Sequence, residues 1–405
     1  MDKAAWKVIE SWNYWNREPE TGIPREVTEE ALEYIVRPEA LYFYGPRRAG
    51  KTTACLQLIK KLSAKHGKHS CLYVNFEEPA FSGMLTTGFL GEIVEEHARV
   101  FKAAPKFVFF DEIQNVPGWE RFVRGVVDRN AFKIVVTGSS AKLLSSEFAT
   151  SLGGRGFGFL VLPFSFREFR KARPDAGMEE YLETGGYPAV VLEKSREKQA
   201  RMLEEYFETA ISRDIATRHK VRDLPTLRNL AVYVLTNSGK KFSYNALRTM
   251  TGLSFDAIRL YLSYIEDAFL AFQVPFFSYS MKKALEKPRK LYAYDTGMLA
   301  AISKSFSPDY GRKAENAVAI ELMRRKKELQ YFSNRHEVDF VFRDGMRITA
   351  LTVCYSEKAP EREAAGLEAF AKEHKVESSL VLSGPKAIGE WLNCVSQKSR
   401  DEPKA

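Results

Sequence analysis

Cysteine is scarce in this sequence, and no long apolar run occurs. The four cysteines among 405 residues, Cys55, Cys71, Cys354 and Cys394, are scattered without any C-x-x-C spacing. This scarcity disfavours a disulfide framework or a cysteine-bound zinc site and fits a reducing, cytoplasmic location. No window of about eighteen uninterrupted apolar residues is found, so no membrane span is predicted. The N-terminal stretch MDKAAWKVIESWNYWNREPE is polar and tryptophan-rich, and it lacks the apolar core of a signal peptide.

Basic residues exceed acidic ones only moderately. The chain has 61 lysines and arginines against 52 aspartates and glutamates, which gives a net charge of +9. Because this excess is spread over the whole chain, it permits nucleic-acid binding without demonstrating it. With 45% hydrophobic and 28% charged residues the composition is that of a globular protein. The length predicts about two to four domains.

A glycine-rich segment is the most informative motif. The segment from Gly45 to Thr52 fits G-x-x-x-x-G-K-[ST], after the apolar run Ala40 to Tyr44 and before a helical repeat. A strand, loop and helix of this kind surround a phosphate with backbone N–H groups, while the lysine reaches the β- and γ-phosphates and the threonine hydroxyl ligates magnesium. The motif predicts that nucleotide is bound by Gly45, Pro46, Arg47, Arg48, Ala49, Gly50, Lys51, Thr52 and Thr53.

Apolar strands that alternate with helical patterns predict an α/β fold with a parallel sheet. The strands that follow the loop are expected at Cys71 to Glu78, Lys106 to Glu112, Phe132 to Ser140 and Gly158 to Phe166. Asp111 and Glu112 end one of these strands. Beside a phosphate-binding loop, Asp111 is predicted to hold magnesium through water and Glu112 to polarise the attacking water. Two solvated carboxylates at a strand end are the alternative.

The expected strand order places a further group near the γ-phosphate. The strand that ends in VTGSS is predicted to lie between the strand before the loop and the strand ending in Asp111. Ser139 or Ser140 would then be a phosphate sensor, whereas a serine-rich helix cap is the alternative. Arg155 lies in a glycine-flanked loop. It is either a group that stabilises transition-state charge, within its subunit or across a subunit interface, or a surface arginine.

The motifs follow one another in a characteristic order. After the tryptophan-rich N-terminus come GPRRAGKTT, FFDEIQNVPGWE, VTGSSAKLL, LPFSFREF, GGYPAVV, ISRDI and KLYAYDTGML. In this order the chain resembles the archaeal and bacterial P-loop ATPases of the AAA+/STAND type that carry a winged helix and a C-terminal nuclease-like domain. The resemblance implies ATP binding and hydrolysis with Mg²⁺. In STAND-type ATPases a Gly-x-Pro turn packs on adenine, which suggests that Tyr187 and Pro188 line the base pocket.

The resemblance also implies a domain order. The fold expected is a P-loop NTPase of the ASCE/AAA+ type, with a parallel sheet core, a helical lid, a winged helix-turn-helix and a C-terminal α/β nuclease-like domain. The expected segments are a tryptophan-rich segment packing on the core (1–39), the ATPase core (40–166), the lid (167–223), the winged helix (224–304), the nuclease-like domain (305–395) and a polar tail (396–405).

The winged helix is also expected from the residues themselves. Three helical stripes between Leu224 and Leu270 precede a hairpin-like segment. The third helix presents Asp256, Arg259, Ser263, Glu266 and Asp267 outward, which is a poor surface for an anionic groove. The hairpin tip is basic, and its candidate contacts to DNA phosphates are Lys282, Lys283, Lys287, Arg289 and Lys290. A solvated basic loop and a protein-interaction module are the alternatives.

The last domain shows the pattern of a nuclease without its complete chemistry. From about Arg312, the order of helix, three strands, helix and strand looks like the core of the PD-(D/E)-x-K nucleases. Glu315 and Asp339 match two of their carboxylates, with Glu337 on the same strand face as Asp339. Thr352 and Cys354 stand where the pattern requires glutamate and lysine. The sequence therefore predicts a degenerate nuclease fold used for binding or assembly.

Three functions are compatible with these features. The first is an ATPase whose nucleotide state moves the winged helix and the nuclease-like domain, acting on DNA. The second is a nucleotide-dependent protein-interaction switch, and the third is an ATP-gated DNA endonuclease, which the missing glutamate and lysine oppose. The predicted partners are ATP and ADP, DNA without sequence preference and a second copy of the chain, with no membrane.

Overall fold

The computed structural model describes residues 1–138, 152–303, 309–358 and 361–394. The chain divides into two compact units, Met1–Leu162 and Pro163–Ala405. In the first unit the strands are β1 Ala40–Tyr44, β2 Cys71–Asn75, β3 Phe107–Asp111, β4 Lys133–Gly138 and β5 Gly156–Leu160. Its helices are α1 Lys3–Trp12, α2 Glu26–Glu33, α3 Lys51–His66, α4 Thr87–Phe101 and α5 Trp119–Asp128.

The first unit is built on a parallel sheet with the strand order β2-β3-β4-β1-β5. Alternate side chains of β3 enter two different apolar clusters: Val108 and Phe110 lie in one, and Phe107 and Phe109 in the other. Both faces of the strand are therefore buried, which is why it is apolar throughout. The predicted α/β fold with a parallel sheet is confirmed, and so is the placement of β4 between β1 and β3.

The second unit begins with helices. They are α6 Phe166–Ala172, α7 Met178–Thr184, α8 Pro188–Leu192, α9 Arg196–Thr209, a π-helical segment Ala210–Thr217, α10 Leu224–Thr236, α11 Tyr244–Thr251 and α12 Phe255–Asp267. Two of these helices have capped ends: the Ser243 and Ser254 side chains accept hydrogen bonds from the first turns of α11 and α12, and Gly252 follows α11 with a φ of 70°.

Two small sheets complete the second unit. The remaining elements are β6 Lys241–Phe242, β7 Ala271–Val274, α13 Met281–Glu286, β8 Arg289–Ala293, α14 Thr296–Ile302, α15 Tyr310–Arg324, β9 Gln330–Ser333, β10 Glu337–Asp344, β11 Arg347–Cys354, α16 Glu361–His374, β12 Ser378–Ser383 and α17 Gly384–Asn393. The first sheet has the order β6-β8-β7 and is antiparallel. The second has the order β12-β11-β10-β9, with β12 parallel to β11.

The segment expected as a simple hairpin differs from the prediction. Strands β7 and β8 pair as expected, but the short helix α13 lies between them. Arg289 and Lys290 belong to strand β8 and not to the tip. No helix in the described part of the chain has the length and apolar character needed to cross a bilayer. The finer division into lid, winged helix and nuclease-like domain stays a prediction.

Candidate nucleotide-binding site

The glycine-rich loop joins β1 to α3 and takes a conformation that two of its glycines permit. Gly45 has a φ of 147°, and a Cβ atom there would lie 2.2 Å from the carbonyl oxygen of Val161. Gly50 has a φ of 97° and immediately precedes α3. No other residue would fit at position 45, because any side chain would collide with the backbone of Val161. The loop therefore ends at the N-terminus of α3, as an anion-binding loop requires.

Lys51 is held over the loop by backbone oxygens. Its Nζ donates hydrogen bonds to the carbonyl oxygens of Gly45, at 3.1 Å, and Pro46, at 3.0 Å. The same nitrogen lies 4.0 Å from Oε1 of Glu112. The lysine is only 4% exposed. Its positive charge is thus fixed between the loop and the end of β3, where a phosphate bound by the loop would lie.

Asp111 is buried at the carboxyl end of β3 and accepts hydrogen bonds from three hydroxyl groups. Oδ2 accepts from Oγ1 of Thr52 at 2.6 Å and from the hydroxyl of Tyr73 at 2.7 Å. Oδ1 accepts from Oγ1 of Thr137. Burial raises the pKa of Asp111, whereas the hydrogen bonds from Thr137, Thr52 and Tyr73 act in the opposite direction. The carboxylate is thus desolvated but almost fully hydrogen-bonded.

Glu112 follows Asp111 in a left-handed backbone conformation, with a φ of 53°. Its backbone N–H donates to Oγ1 of Thr137 at 3.0 Å, so one threonine orients both carboxylate residues. Oε2 of Glu112 accepts from the side-chain amide of Gln114. A non-glycine residue at positive φ is uncommon and costs free energy, so it persists only where its surroundings impose it. Here it aims the Glu112 side chain toward Lys51.

The residues at this edge of the sheet suit a magnesium ion. Thr52 and Asp111 bring a hydroxyl and a carboxylate oxygen within 2.6 Å of each other. Magnesium prefers such oxygen ligands and usually completes its shell with water and the phosphates of a nucleotide. The Thr52 hydroxyl and the Asp111 carboxylate therefore fit a magnesium ion, which usually has only a few protein ligands.

Three residues of the site were missed by the sequence reasoning. Tyr73 and Thr137 lie in apolar strands, where their hydroxyls give no sign of a carboxylate partner. Thr137 precedes the predicted sensors by two and three positions, so the strand order could have found it. Arg25 is 2% exposed; its guanidinium donates to the carbonyl oxygen of Ala49 in the loop at 2.5 Å and to that of Leu162 at 2.6 Å. No motif in the sequence pointed to it.

The other predicted residues of the first unit are not all brought to the site. Ser139 and Ser140 lie outside the described residues. Arg47 pairs with Glu77 at 3.0 Å. Arg155 is paired with Asp128, at 2.5 Å between Nε and Oδ1, and its side chain is 42% exposed. Its role at the phosphate stays a prediction.

Tyr187 and Pro188 belong to the second unit. Tyr187 is 4% exposed and packs against Tyr206, and Pro188 begins α8. The turn before them is fixed by Asp295, which is buried and accepts from the backbone N–H of Gly186 at 2.7 Å. The segments GGYP and YDTG are therefore held together. The role of the turn beside adenine stays a prediction.

The predicted contact between Lys290 and DNA is wrong. Lys290 is 1% exposed, and its Nζ lies among Glu315, Glu337 and Asp339. Arg289 is half-buried and donates to Oε1 of Gln273 at 3.1 Å. Of the proposed basic contacts, Lys282, Lys283 and Lys287 are exposed. The charge pattern alone assigned Lys290 to solvent because its carboxylate partners follow much later in the sequence.

Two residues of the predicted degenerate nuclease site, Glu315 and Asp339, lie close together. Glu315 and Asp339 both contact Lys290, at 2.9 and 3.3 Å. Thr352 is fully buried, whereas Cys354 at the end of the same strand is partly exposed. In the described residues, no group of three or more histidine, cysteine, aspartate or glutamate side chains is arranged to hold a metal ion.

Comparisons with known proteins agree with the geometry of the loop. A family described as an AAA domain matches residues 37–170. Two families described as domains of unknown function match residues 175–309 and 310–391. The family matches therefore cover both units, and the AAA match includes the loop, Asp111 and Glu112.

Two relatives extend over most of the chain. "Uncharacterized protein MJ1544" of Methanocaldococcus jannaschii is 34% identical over 362 residues, which is 83% of this chain and 79% of the relative. An uncharacterized protein of Haemophilus influenzae is 29% identical over 327 residues, which is 77% of this chain and 81% of the relative.

Solved structures show weaker likeness. AMPPCP-bound DnaA from Aquifex aeolicus is 15% identical, covers 63% of this chain and 91% of its own, and has a TM-score of 0.33. The Aeropyrum pernix ORC1 protein in complex with DNA is 14% identical, and the match covers 71% of this chain and 94% of the ORC1 chain. Its TM-score is also 0.33. At these scores neither structure carries an argument about what this chain binds.

Proposed function

The chain belongs to the family of AAA-domain proteins that includes MJ1544 of Methanocaldococcus jannaschii, and on this premise we propose that it binds ATP with Mg²⁺ and hydrolyses it to ADP and phosphate. The observation that supports this proposal is the meeting of Lys51, Thr52, Asp111 and Glu112 at the carboxyl ends of β1 and β3. Ligands of open parallel sheets bind at this edge.

Each residue has a task that its position supports. Backbone N–H groups of the loop bind the phosphates, and Lys51 leaves its contacts with the Gly45 and Pro46 carbonyls to pair with the β- and γ-phosphates. Thr52 and Asp111 hold the magnesium ion, which neutralises charge on the phosphate oxygens when bound. Glu112, now 4.0 Å from Lys51, then orients and polarises the attacking water.

The experiment that tests this proposal is ATP turnover with Mg²⁺ together with ATP binding. Lys51→Ala removes the ammonium group that the Gly45 and Pro46 carbonyls hold over the loop, so we expect ATP binding to be lost or greatly weakened. Glu112→Gln keeps the size of the side chain but removes the base, so we expect ATP to stay bound while turnover falls by about 10²- to 10⁴-fold.

A matched control lies on the same helix as Lys51. Lys65 is an exposed residue in the last turn of α3, and Lys65→Ala should leave binding and turnover unchanged. Unchanged ATP affinity in Lys51→Ala would refute the assignment of the loop. Normal turnover in Glu112→Gln would assign the activation of water to another group.

Two kinds of partner, DNA and another protein, are candidates for the molecule on which this ATPase acts. Sequence-independent contact with DNA is supported by the exposed Lys282, Lys283 and Lys287 around α13. A protein partner is supported by exposed apolar side chains on the predicted winged helix: Phe255 is 47% exposed and Leu260 48%. Stimulation of turnover by DNA that falls steeply with salt favours the first candidate, and turnover indifferent to DNA favours the second.

A further inference from the structure

Lys290 places a buried positive charge inside the C-terminal part of the second unit. The residue lies in β8, and only 2% of its side chain is exposed. Its Nζ lies 2.6 Å from Oε1 of Glu337, 2.9 Å from Oε1 of Glu315 and 3.3 Å from Oδ1 of Asp339. One ammonium group therefore contacts carboxylates from both α15 and β10.

Neighbouring groups also form hydrogen bonds and an ion pair with the three carboxylates around Lys290. The hydroxyl of Tyr292 donates to Oε1 of Glu315 at 2.5 Å, and the backbone N–H of Val353 donates to Oδ2 of Asp339 at 3.0 Å. Lys241 pairs with Oε2 of Glu337 at 2.7 Å. A buried charge is tolerated only when it is paired and hydrogen-bonded in this way. The arrangement is therefore a built cation site, with the cation supplied by the chain.

A second observation in the same place points to a cation ligand. Thr352 is fully buried, and its Oγ1 has no hydrogen-bond partner among the described residues. Strands β10 and β11 are antiparallel, with Phe340 opposite Leu351. Side chains alternate along a strand, so Asp339 and Thr352, the next residues outward from that pair, share the other face. An unused hydroxyl oxygen thus lies on the sheet face that carries the carboxylates.

We propose that Glu315, Glu337 and Asp339, with Thr352 beside them, form a cation site whose resident cation is the ammonium group of Lys290, and that this lysine excludes a divalent metal ion. Carboxylate and hydroxyl oxygens are the ligands that Mg²⁺ and Mn²⁺ prefer. Lys290 and Lys241 together carry two positive charges against these three carboxylates, so without the Lys290 charge a divalent ion would balance the cluster. With Lys290 present, the carboxylates surround its ammonium group and are not arranged to hold a metal ion.

The alternative is that Lys290 is the catalytic lysine of a nuclease site, supplied from β8 and not from the strand on which the nuclease pattern places it. A lysine that serves a scissile phosphate must be reached by the substrate, whereas Lys290 is enclosed and is in contact with all three carboxylates at once. Because those contacts use the positive charge, Lys290 closes the site. This inference does not depend on ATP hydrolysis in the first unit.

The test is a titration of the nucleotide-free full chain with Mn²⁺ alone, followed by electron paramagnetic resonance. Wild type and Asp339→Asn should titrate identically, because the site is closed in both. Lys290→Met should gain one Mn²⁺ per chain, bound at least about tenfold more tightly than any ion in the wild type, and Lys290→Met/Asp339→Asn should lose it again. Lys290→Arg keeps the positive charge and should gain none.

Four outcomes overturn the proposal. The first is a Mn²⁺ ion in the wild type that Asp339→Asn removes. The second is metal-dependent cleavage of DNA by the wild type that Asp339→Asn or Lys290→Met abolishes. The third is a folded Lys290→Met that gains no ion, and the fourth applies when this variant does not fold. If Lys290→Met does not fold alone, added Mn²⁺ should restore its cooperative thermal transition, and failure of this rescue counts against the proposal as well.

Discussion

Asp111 combines burial with three hydroxyl donors, and this balance decides when it is charged. Burial raises its pKa, and the hydrogen bonds from Thr137, Thr52 and Tyr73 lower it. Magnesium binds the ionised carboxylate, so the proposed activity should also depend on Thr137 and Tyr73, two donors that have no assigned contact with the nucleotide. Among them Tyr73, on the neighbouring strand β2, is the one whose hydroxyl is removed without changing the shape of the side chain.

We therefore expect Tyr73→Phe to move the acid limb of the pH profile to higher pH. Without this donor the ionised form of Asp111 is less stable, so its pKa rises further and magnesium is lost sooner as the pH falls. A hydrogen bond worth about 1 kcal/mol corresponds to about a fivefold loss of turnover below that limb. The measurement is kcat/KM for ATP against pH at fixed Mg²⁺, with Tyr14→Phe as the control. An unshifted profile would contradict the role given to Tyr73.

At the scale of elements, α4 carries a buried histidine. His97 is fully buried and packs against the rings of Trp15 and Phe101, with centroid distances of 5.3 Å and 4.8 Å. Burial lowers the pKa of His97 to about 4. The folded state thus holds this imidazole neutral at a pH where the unfolded chain takes up a proton. The stability that follows is present above the ordinary histidine pKa and is lost as the pH falls toward 4.

His97→Phe should therefore make the first unit less sensitive to acid. Between pH 7 and pH 5 the wild type should lose up to about 2 kcal/mol of unfolding free energy through this residue, and the variant should not. Urea unfolding, followed by tryptophan fluorescence at pH 7 and pH 5, measures this difference in unfolding free energy, since Trp15 is in contact with His97. Equal acid sensitivity of the two proteins would show that His97 is not held neutral.

The segment around α13 gives a prediction about DNA. Replacing Lys282, Lys283 and Lys287 by alanine should lower the salt dependence of DNA-stimulated turnover. Each lost phosphate contact reduces the slope against log salt by about 0.9, so the three together remove at most about 2.7. Lys290→Arg should not change the slope, because residue 290 is enclosed. An unchanged slope in the triple variant would exclude this surface as the DNA contact.

Elements with a strong local pattern could be predicted from the sequence. The apolar runs of β1 to β4 and the loop motif gave the parallel sheet and the position of Asp111 at a strand end. Helix α13 was missed because a six-residue helix with exposed Met281 and Leu285 has no buried stripe to reveal it. The contacts of Tyr73 and Lys290 were missed for another reason: they join residues 38 and 49 positions apart in the sequence. No local pattern encodes such pairs.

At the scale of the whole molecule, Arg155 predicts that subunits cooperate. Arg155 is paired with Asp128 at the surface and makes a long hydrogen bond, of 3.5 Å, to the carbonyl oxygen of Leu152, and an exposed ion pair of this kind contributes little free energy. Arg155 is thus available to a nucleotide on a neighbouring copy. We expect Arg155→Ala to lower kcat by about 10³-fold.

Mixing two inactive variants shows whether Arg155 acts on a nucleotide of a neighbouring subunit or on that of its own subunit. Arg155→Ala retains an intact loop, and Lys51→Ala retains an intact arginine. A mixture of the two inactive proteins should regain part of the wild-type turnover, and wild-type turnover should rise more than linearly with protein concentration. No gain on mixing would assign Arg155 to its own subunit or to the surface.

The burial of Lys290 has a consequence for the inheritance of this gene. The lysine precedes the predicted boundary near residue 305, and its three carboxylates follow it. A crossover between two related genes at that boundary would pair a lysine from one parent with carboxylates from the other. Offspring with a mismatched set would hold an unpaired buried charge and would be less stable than either parent. The stretch from β8 to β10 should therefore be inherited as one unit. Recombination within it should be rarer than at other domain boundaries of modular proteins.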